Sequence, residues 1–246
     1  MSKTIEKPAD ATTSLGMSLA EALDEGVNQA TGALPPWVME TTPDYPVQVT
    51  FEPAPRANRV WAIPLVGILM KSVVLIPHLL ALTALVTASA VSQLVLWIPV
   101  MTGGEYPAWG YRLVGGTIRW AVRVEAYLFG LTDEYPPFSL SDETGAAESY
   151  PASVTIPYQA TYNRAWAIPA AGLLAKAVLL IPHFIILRIL QIVVFALQLV
   201  LWIPVLSGGS YPEWGYRLVG GYIRWSTRVA CYLLGLTDTY PPFRMG

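Results

Sequence analysis

His78 and His183 are the only histidines of the chain, and each follows an Ile-Pro pair at the mouth of a long apolar run. An imidazole kept neutral there could ligate the iron of a haem or the magnesium of a chlorophyll-type pigment. The competing expectation is structural, because a histidine in the first turn of a helix can satisfy backbone groups that lack intrahelical partners. Three more polar residues interrupt the same runs: Arg188, and Gln93 with its counterpart Gln198. A charge inside an apolar span is a functional candidate, set against snorkelling to the surface or pairing with a carboxylate. The glutamines fit interhelical hydrogen bonds worth about 0.6 kcal/mol each. A small-solute transporter or channel would need a larger set of intramembrane polar groups than these.

A second set is basic. Arg112, Arg119 and Arg123 are spaced 7 and 4 residues apart, and Arg217, Arg224 and Arg228 repeat the spacing. At 100° per residue each trio falls within about 40° on a helical wheel. Leu113, Val114, Ala121, Val124 and Leu128 fill the other side, with Trp109, Trp120 and Tyr127 at the border. This pattern predicts an amphipathic helix lying in the membrane plane, with arginines at the level of the lipid headgroups. Glu125 falls on the apolar side, where the second helix has Ala230.

Chemistry beyond this is sparse. Asp133 and Asp238 each precede Tyr-Pro-Pro-Phe and read as helix-ending turns with an aromatic anchor, too far apart to share a proton. Cys231 is the single cysteine, which excludes an internal disulfide, and its expected role is apolar packing. No Ser-His-Asp set and no metal-ligand spacing are present, so the sequence predicts a protein that is not an enzyme.

The elements that must position these residues come in two copies. With an offset of 105 residues and no gap, about 55 of the 94 positions from Tyr45 to Phe138 are identical to their counterparts. Internal repetition on this scale takes precedence over other assignments. The expected organisation is an acidic N-terminal arm over 1–44, membrane repeat 1 over 45–140, a polar linker over 141–149 and membrane repeat 2 over 150–246. In the arm, Ser14 to Ala30 reads as a short helix and Trp37-Val38-Met39 as an apolar docking patch. The first 30 residues lack the apolar core of a signal peptide, which predicts a cytoplasmic N-terminus.

Composition agrees with membrane residence. The chain is 54% apolar and 13% charged, against about 25% charged for soluble domains. A net charge of −2 gives no reason to expect a nucleic-acid partner. In each repeat, a weakly alternating run (Val47 to Phe51, and Val154 to Ile156) suggests short strands able to pair with each other. An apolar stretch follows, divided by Pro77 or Pro182 into a shorter element at 59–75 and a longer one at 77–101. The amphipathic helix, over 107–131, closes the unit. The predicted fold class is all-α membrane protein: two units, each a transmembrane helical hairpin plus an interfacial helix. The alternative is that the first element lies in the interface. The hairpin is preferred because both copies carry the same arginines, and positive charge flanking a span favours the cytoplasmic side.

Four motifs resemble a bacterial membrane-protein family catalogued as a domain of unknown function. They are Ile76-Pro77-His78, Gly104-Glu105-Tyr106-Pro107, the run from Arg119 to Tyr127, and Leu131 to Phe138, with counterparts at Ile181 to His183, Gly209 to Pro212, Arg224 to Tyr232 and Leu236 to Phe243. The resemblance implies an integral membrane protein of bacterial type and supplies no activity; the expected location is the bacterial inner membrane, multi-pass. The functional expectation is a non-catalytic scaffold or accessory subunit of a larger membrane complex, in contact with lipids and other subunits and docking through apolar helices, interfacial aromatics and the arm. A pigment- or haem-binding subunit and a transporter are the alternatives.

Overall fold

The computed structural model describes residues 44–52, 58, 63, 66–141, 147, 149–159, 161–168, 171–208 and 211–246. The expected arm helix and docking patch, and most of the linker, lie outside them. Within them the chain runs β1 (Gln48–Phe51), α1 (Val66–Val74), α2 (Ile76–Gly103), α3 (Ala108–Leu128), β2 (Ala152–Thr155), a short 3-10 turn (Arg164–Ala167), α4 (Ala171–Leu179), α5 (Ile181–Gly208) and α6 (Glu213–Leu233).

The boundaries follow from backbone chemistry. Leu75, at φ −83° and ψ −5°, separates α1 from α2, and Pro77 occupies the first turn of α2, where its missing N–H costs nothing. Hydrogen bonds still bridge the break, from Leu75 N to Lys71 O and from Leu79 N to Leu75 O. Gly104 ends α2 in the left-handed region, at φ 77°, which glycine enters without steric penalty. Pro107 then opens α3.

One prediction is corrected here. The antiparallel partner of α2 is α3, not α1. Leu75 and Leu82 pack with Trp120, Val124 and Tyr127, Ser89 bonds Thr117 at 3.2 Å, and Leu96 fills a notch at Gly110, where a Cβ would come within 2.2 Å of its methyl. α1, with nine residues, is about 14 Å long, half of a hydrocarbon core of about 30 Å. The 28-residue helices α2 and α5 are long and apolar enough to cross a membrane.

α3 and α6 run antiparallel at the centre. The Tyr106 hydroxyl, at the entrance of α3, donates to the Leu234 carbonyl past the end of α6 at 3.4 Å. Tyr211 donates reciprocally to Phe129 at 3.2 Å. β1 and β2 pair as anticipated, and the pairing is antiparallel, with Val49 opposite Val154.

This ribbon overturns the expected placement of the arginines. Arg119 Nε donates to the Val154 carbonyl at 3.2 Å and Arg224 Nε to that of Val49 at 3.0 Å. Arg123 donates to Ser139 O at 2.7 Å, and Arg228 to Arg244 O at 2.6 Å and Gly246 O at 3.2 Å. Arg123, Arg224 and Arg228 are buried. A guanidinium has five donors, and the ribbon and the segments after α3 and α6 offer carbonyls in matching positions. Protein therefore covers most of the face predicted to meet headgroups, and only Arg112 and Arg217 remain exposed. β1 sits on α6 while β2 sits on α3, so each half completes the other.

Candidate functional site

Each histidine is the centre of an aromatic cluster built by three elements. His78, from the first turn of α2, has no exposed surface. Trp120 of α3 donates its indole N–H to His78 Nδ1 at 2.9 Å. Phe138 stacks on the imidazole with ring centres 3.8 Å apart, and Tyr135 meets it edge-on at 4.9 Å. The second half repeats this: Trp225 donates to His183 Nδ1 at 2.9 Å, Phe243 stacks at 3.8 Å and Tyr240 lies edge-on at 5.1 Å.

The donor fixes the tautomer. An indole N–H only donates, so Nδ1 must present its lone pair, and the proton of the neutral ring sits on Nε2. That Nε2 is buried, with no hydrogen-bond partner, in both halves. Neither nitrogen then offers a free lone pair to iron or magnesium, and the stacked phenyl ring occupies the imidazole face. This geometry does not favour axial ligation of haem or a chlorophyll-type pigment by His78 or His183. The two histidines serve as hydrogen-bond acceptors inside an aromatic wedge that joins α2 to α3 and α5 to α6.

Beside each wedge lies an ion pair. Lys71 of α1 is buried; its ammonium is 3.4 Å from Asp133, donates to the Tyr127 carbonyl at 2.9 Å and stands 4.7 Å above the Tyr127 ring. Asp133 also accepts from Asn58 N at 2.5 Å. Lys176 pairs with Asp238 at 3.6 Å over the ring of Tyr232 at 4.9 Å, and Asp238 accepts from Asn163 N at 2.6 Å. A buried ammonium is tolerated only with such a partner.

The segment Leu131 to Phe138 thus closes the unit residue by residue. Thr132 accepts from Glu134 N at 3.1 Å, Asp133 holds Lys71, the Tyr135 hydroxyl donates to Val74 O at 3.2 Å, and Phe138 covers His78. Residues just before the strands of the opposite half finish the job: Tyr150 donates to Glu134 O at 3.0 Å and Tyr45 to Thr239 O at 3.0 Å. Sequence reasoning singled out the histidines and Asp133 and Asp238 but missed their partners. The available signal was Lys71, the one formal charge between Trp61 and Met101, and its repetition at Lys176.

The segment 171–244 matches a family model described as "Domain of unknown function (DUF4389)". No curated protein and no solved structure matches the chain. The matched segment contains Lys176, His183, Trp225, Asp238 and Phe243, and so the complete wedge and ion pair of the second half.

The remaining candidates are dispersed. Gln93 reaches the Tyr106 hydroxyl at 3.5 Å, and Gln198 reaches Tyr211 at the same distance, at the outer limit for a hydrogen bond. Each glutamine thereby touches the tyrosine that links the two halves. Arg188 is exposed on α5, bonds Gln191 at 2.6 Å and lines a cleft of about 520 Å³ with Tyr222 and Ser226. Arg112 borders a cleft of about 660 Å³ with Tyr111, Arg119 and Ile156. Arg217 pairs with Glu213 at 2.9 Å, both half-exposed, a contact worth a few tenths of a kcal/mol. Burial pushes the Glu125 carboxyl up to about 7 and the Cys231 thiol up to about 12. Among the described residues no group of three or more His, Cys, Asp or Glu could hold a metal ion.

Proposed function

We propose that the protein is a non-catalytic scaffold or accessory subunit of a larger bacterial membrane assembly, held in the inner membrane by its apolar helices and docking to other subunits through the surface that lipid leaves free, the acidic arm included. One contrast supports this reading. Most buried polar groups of both halves are bonded within the chain itself, to backbone, aromatic rings and the Asp133 and Asp238 carboxylates, while the outer helices carry an exposed apolar surface. Leu69, Leu80 and Leu94 are 63%, 69% and 72% exposed. Isolated exposed leucines are ordinary, but a contiguous field of them marks an interaction surface.

The test is extraction from native membranes in mild detergent, followed by affinity purification on a C-terminal tag. A partner protein recovered in fixed proportion, in a particle larger than the monomer, is the expected result. A monodisperse monomer without a partner would exclude the scaffold role. A colourless preparation is also expected, because both imidazoles are turned to Trp120 and Trp225; an absorbance band in the Soret region would reinstate the cofactor reading.

A further inference from the structure

Two helices long enough to cross a bilayer invite the conclusion that they do, but the way α3 and α6 are dressed points elsewhere. Thr117 and Val124 of α3 face α2, and Arg119 faces the ribbon. At 100° per residue, Thr117 and Arg119 lie about 160° apart. The ribbon and α2 thus occupy opposite sides of the central pair. The ribbon also sits at mid-length: Arg119 and Arg224, its anchors, are central in Ala108–Leu128 and Glu213–Leu233.

Consider α2 and α3 upright in a bilayer. The ends of α3 would stand near the two surfaces and the ribbon at mid-depth, exposing Thr50, Glu52 and Thr155 to acyl chains. An open two-stranded sheet bearing a carboxylate cannot be accommodated in hydrocarbon. With the central pair laid flat, the ribbon and the apolar field meet opposite media. The ribbon faces water. The outer faces of α1, α2, α4 and α5 point the other way and form the apolar field.

Most polar atoms on that field are already satisfied, and Arg188, bonded to Gln191, is the charge left to snorkel towards the headgroups. The hydroxyls of Ser72, Thr83, Thr87, Thr102 and Ser207 donate to the carbonyl four residues back, at 2.7 to 3.0 Å. The Trp97 indole donates to Leu94 O at 2.7 Å. This is how polar side chains are accommodated in lipid. Trp109 and Trp214, each about half exposed, stand one turn from Arg112 and Arg217. Because α3 and α6 are antiparallel, these Trp–Arg pairs mark opposite ends of the molecule at one level, as interfacial anchors do.

We infer that the protein lies within one leaflet: α3 and α6 at headgroup level, the ribbon in water, the outer helices among acyl chains, and no described segment crossing. The two halves are then related by an axis along the membrane normal, and their arginines face the same side without any crossing. The inference rests on the membrane location proposed above and replaces the transmembrane hairpin as its geometry.

Impermeant labelling in sealed vesicles of both orientations tests it, in a Cys231→Ala background that copies Ala126. Thr50→Cys reports the ribbon, Glu105→Cys the turn between α2 and α3, Glu134→Cys the far end of α3, and Ile76→Cys the α1–α2 junction. Thr50→Cys, Glu105→Cys and Glu134→Cys are expected to react from one and the same side, and Ile76→Cys never from the other. Reaction of any of them from the side opposite Thr50→Cys would overturn the in-plane arrangement. A bimane on Leu80→Cys is expected to lose at least half its fluorescence in vesicles of doxyl-labelled phospholipid. Unchanged fluorescence would show that a partner, not lipid, covers this face. Recovery of the intact chain in a detergent-free supernatant would instead overturn the membrane reading itself.

Discussion

The two halves differ most where they touch the chain least. From 79 to 92, within α2, only Leu82 and Leu85 recur in α5, whereas 15 of the 21 positions of α3 recur in α6. The first stretch faces outward, and most of its changes exchange one apolar residue for another or a small hydroxyl for an aliphatic chain; Arg188 and Gln191, in place of Thr83 and Val86, are the two polar departures. Ser89 and Val194 are both buried, yet Ser89 bonds Thr117 where the second half has Val194 and Tyr222 at the equivalent positions. On the membrane reading proposed above, this surface needs to stay largely apolar but need not keep its shape. The central helices are constrained atom by atom, since each arginine must find its carbonyl and each indole its imidazole.

Four measurements sharpen this contrast, beginning with the largest effect. Asp133→Ala and Asp238→Ala each strand a buried ammonium, so each is expected to cost roughly 3–5 kcal/mol, read as loss of thermal stability in detergent. Lys71→Met added to Asp133→Ala should recover most of that loss. A difference of more than about 1 kcal/mol between the two aspartates would break the equivalence of the halves.

Glu125 has no counterpart in the second half. Burial holds its folded pKa at about 7, above the ordinary 4.5 of a glutamate, so the folded state holds the proton more tightly than the unfolded one. The contribution of Glu125 to stability is then greatest below about pH 4.5, falls as pH rises to about 7, and levels off above it. Glu125→Ala, which copies Ala230, should remove this slope and stabilise the protein at pH 8 by up to about 3 kcal/mol. An unchanged slope would place the titration elsewhere.

Trp120→Phe and Trp225→Phe keep the ring but remove the donor to the histidine. A cost of about 1–2 kcal/mol in each half is expected, and the accompanying change in histidine tautomer is directly readable from ¹⁵N chemical shifts. The smallest effect belongs to Arg188→Thr, which copies Thr83. Arg188 is exposed and bonds only to Gln191 on its own helix among the described residues, so the change in stability should stay within about 0.5 kcal/mol. A larger loss would give that guanidinium a structural role.

Much of the architecture was legible from one dimension. The 105-residue echo, the break at Pro77 and Pro182, the ends of the helices and even the pairing of the two strands follow from local rules: proline lacks a donor, glycine tolerates a left-handed turn, and apolar runs of this length have few other uses. The histidines were found for the same reason, as repeated titratable groups in apolar surroundings. Which helix pairs with which was not legible, because α1, α2 and the apolar side of α3 are all greasy enough to pack on one another.

The arginine stripe shows the limit most clearly. Periodicity placed Arg119, Arg123, Arg224 and Arg228 on one face of a helix and said nothing about what covers it. A polar face meets headgroups or a ribbon of backbone carbonyls equally well, since both offer oxygen acceptors to the same donors. The sequence alone determined that the chain is duplicated, apolar and helical, because those properties reside in neighbouring residues. Only the tertiary structure decided that each half lends its strand to the other and that each tryptophan claims a histidine nitrogen, because those bonds join residues from 35 to 175 positions apart whose meeting no local spacing encodes.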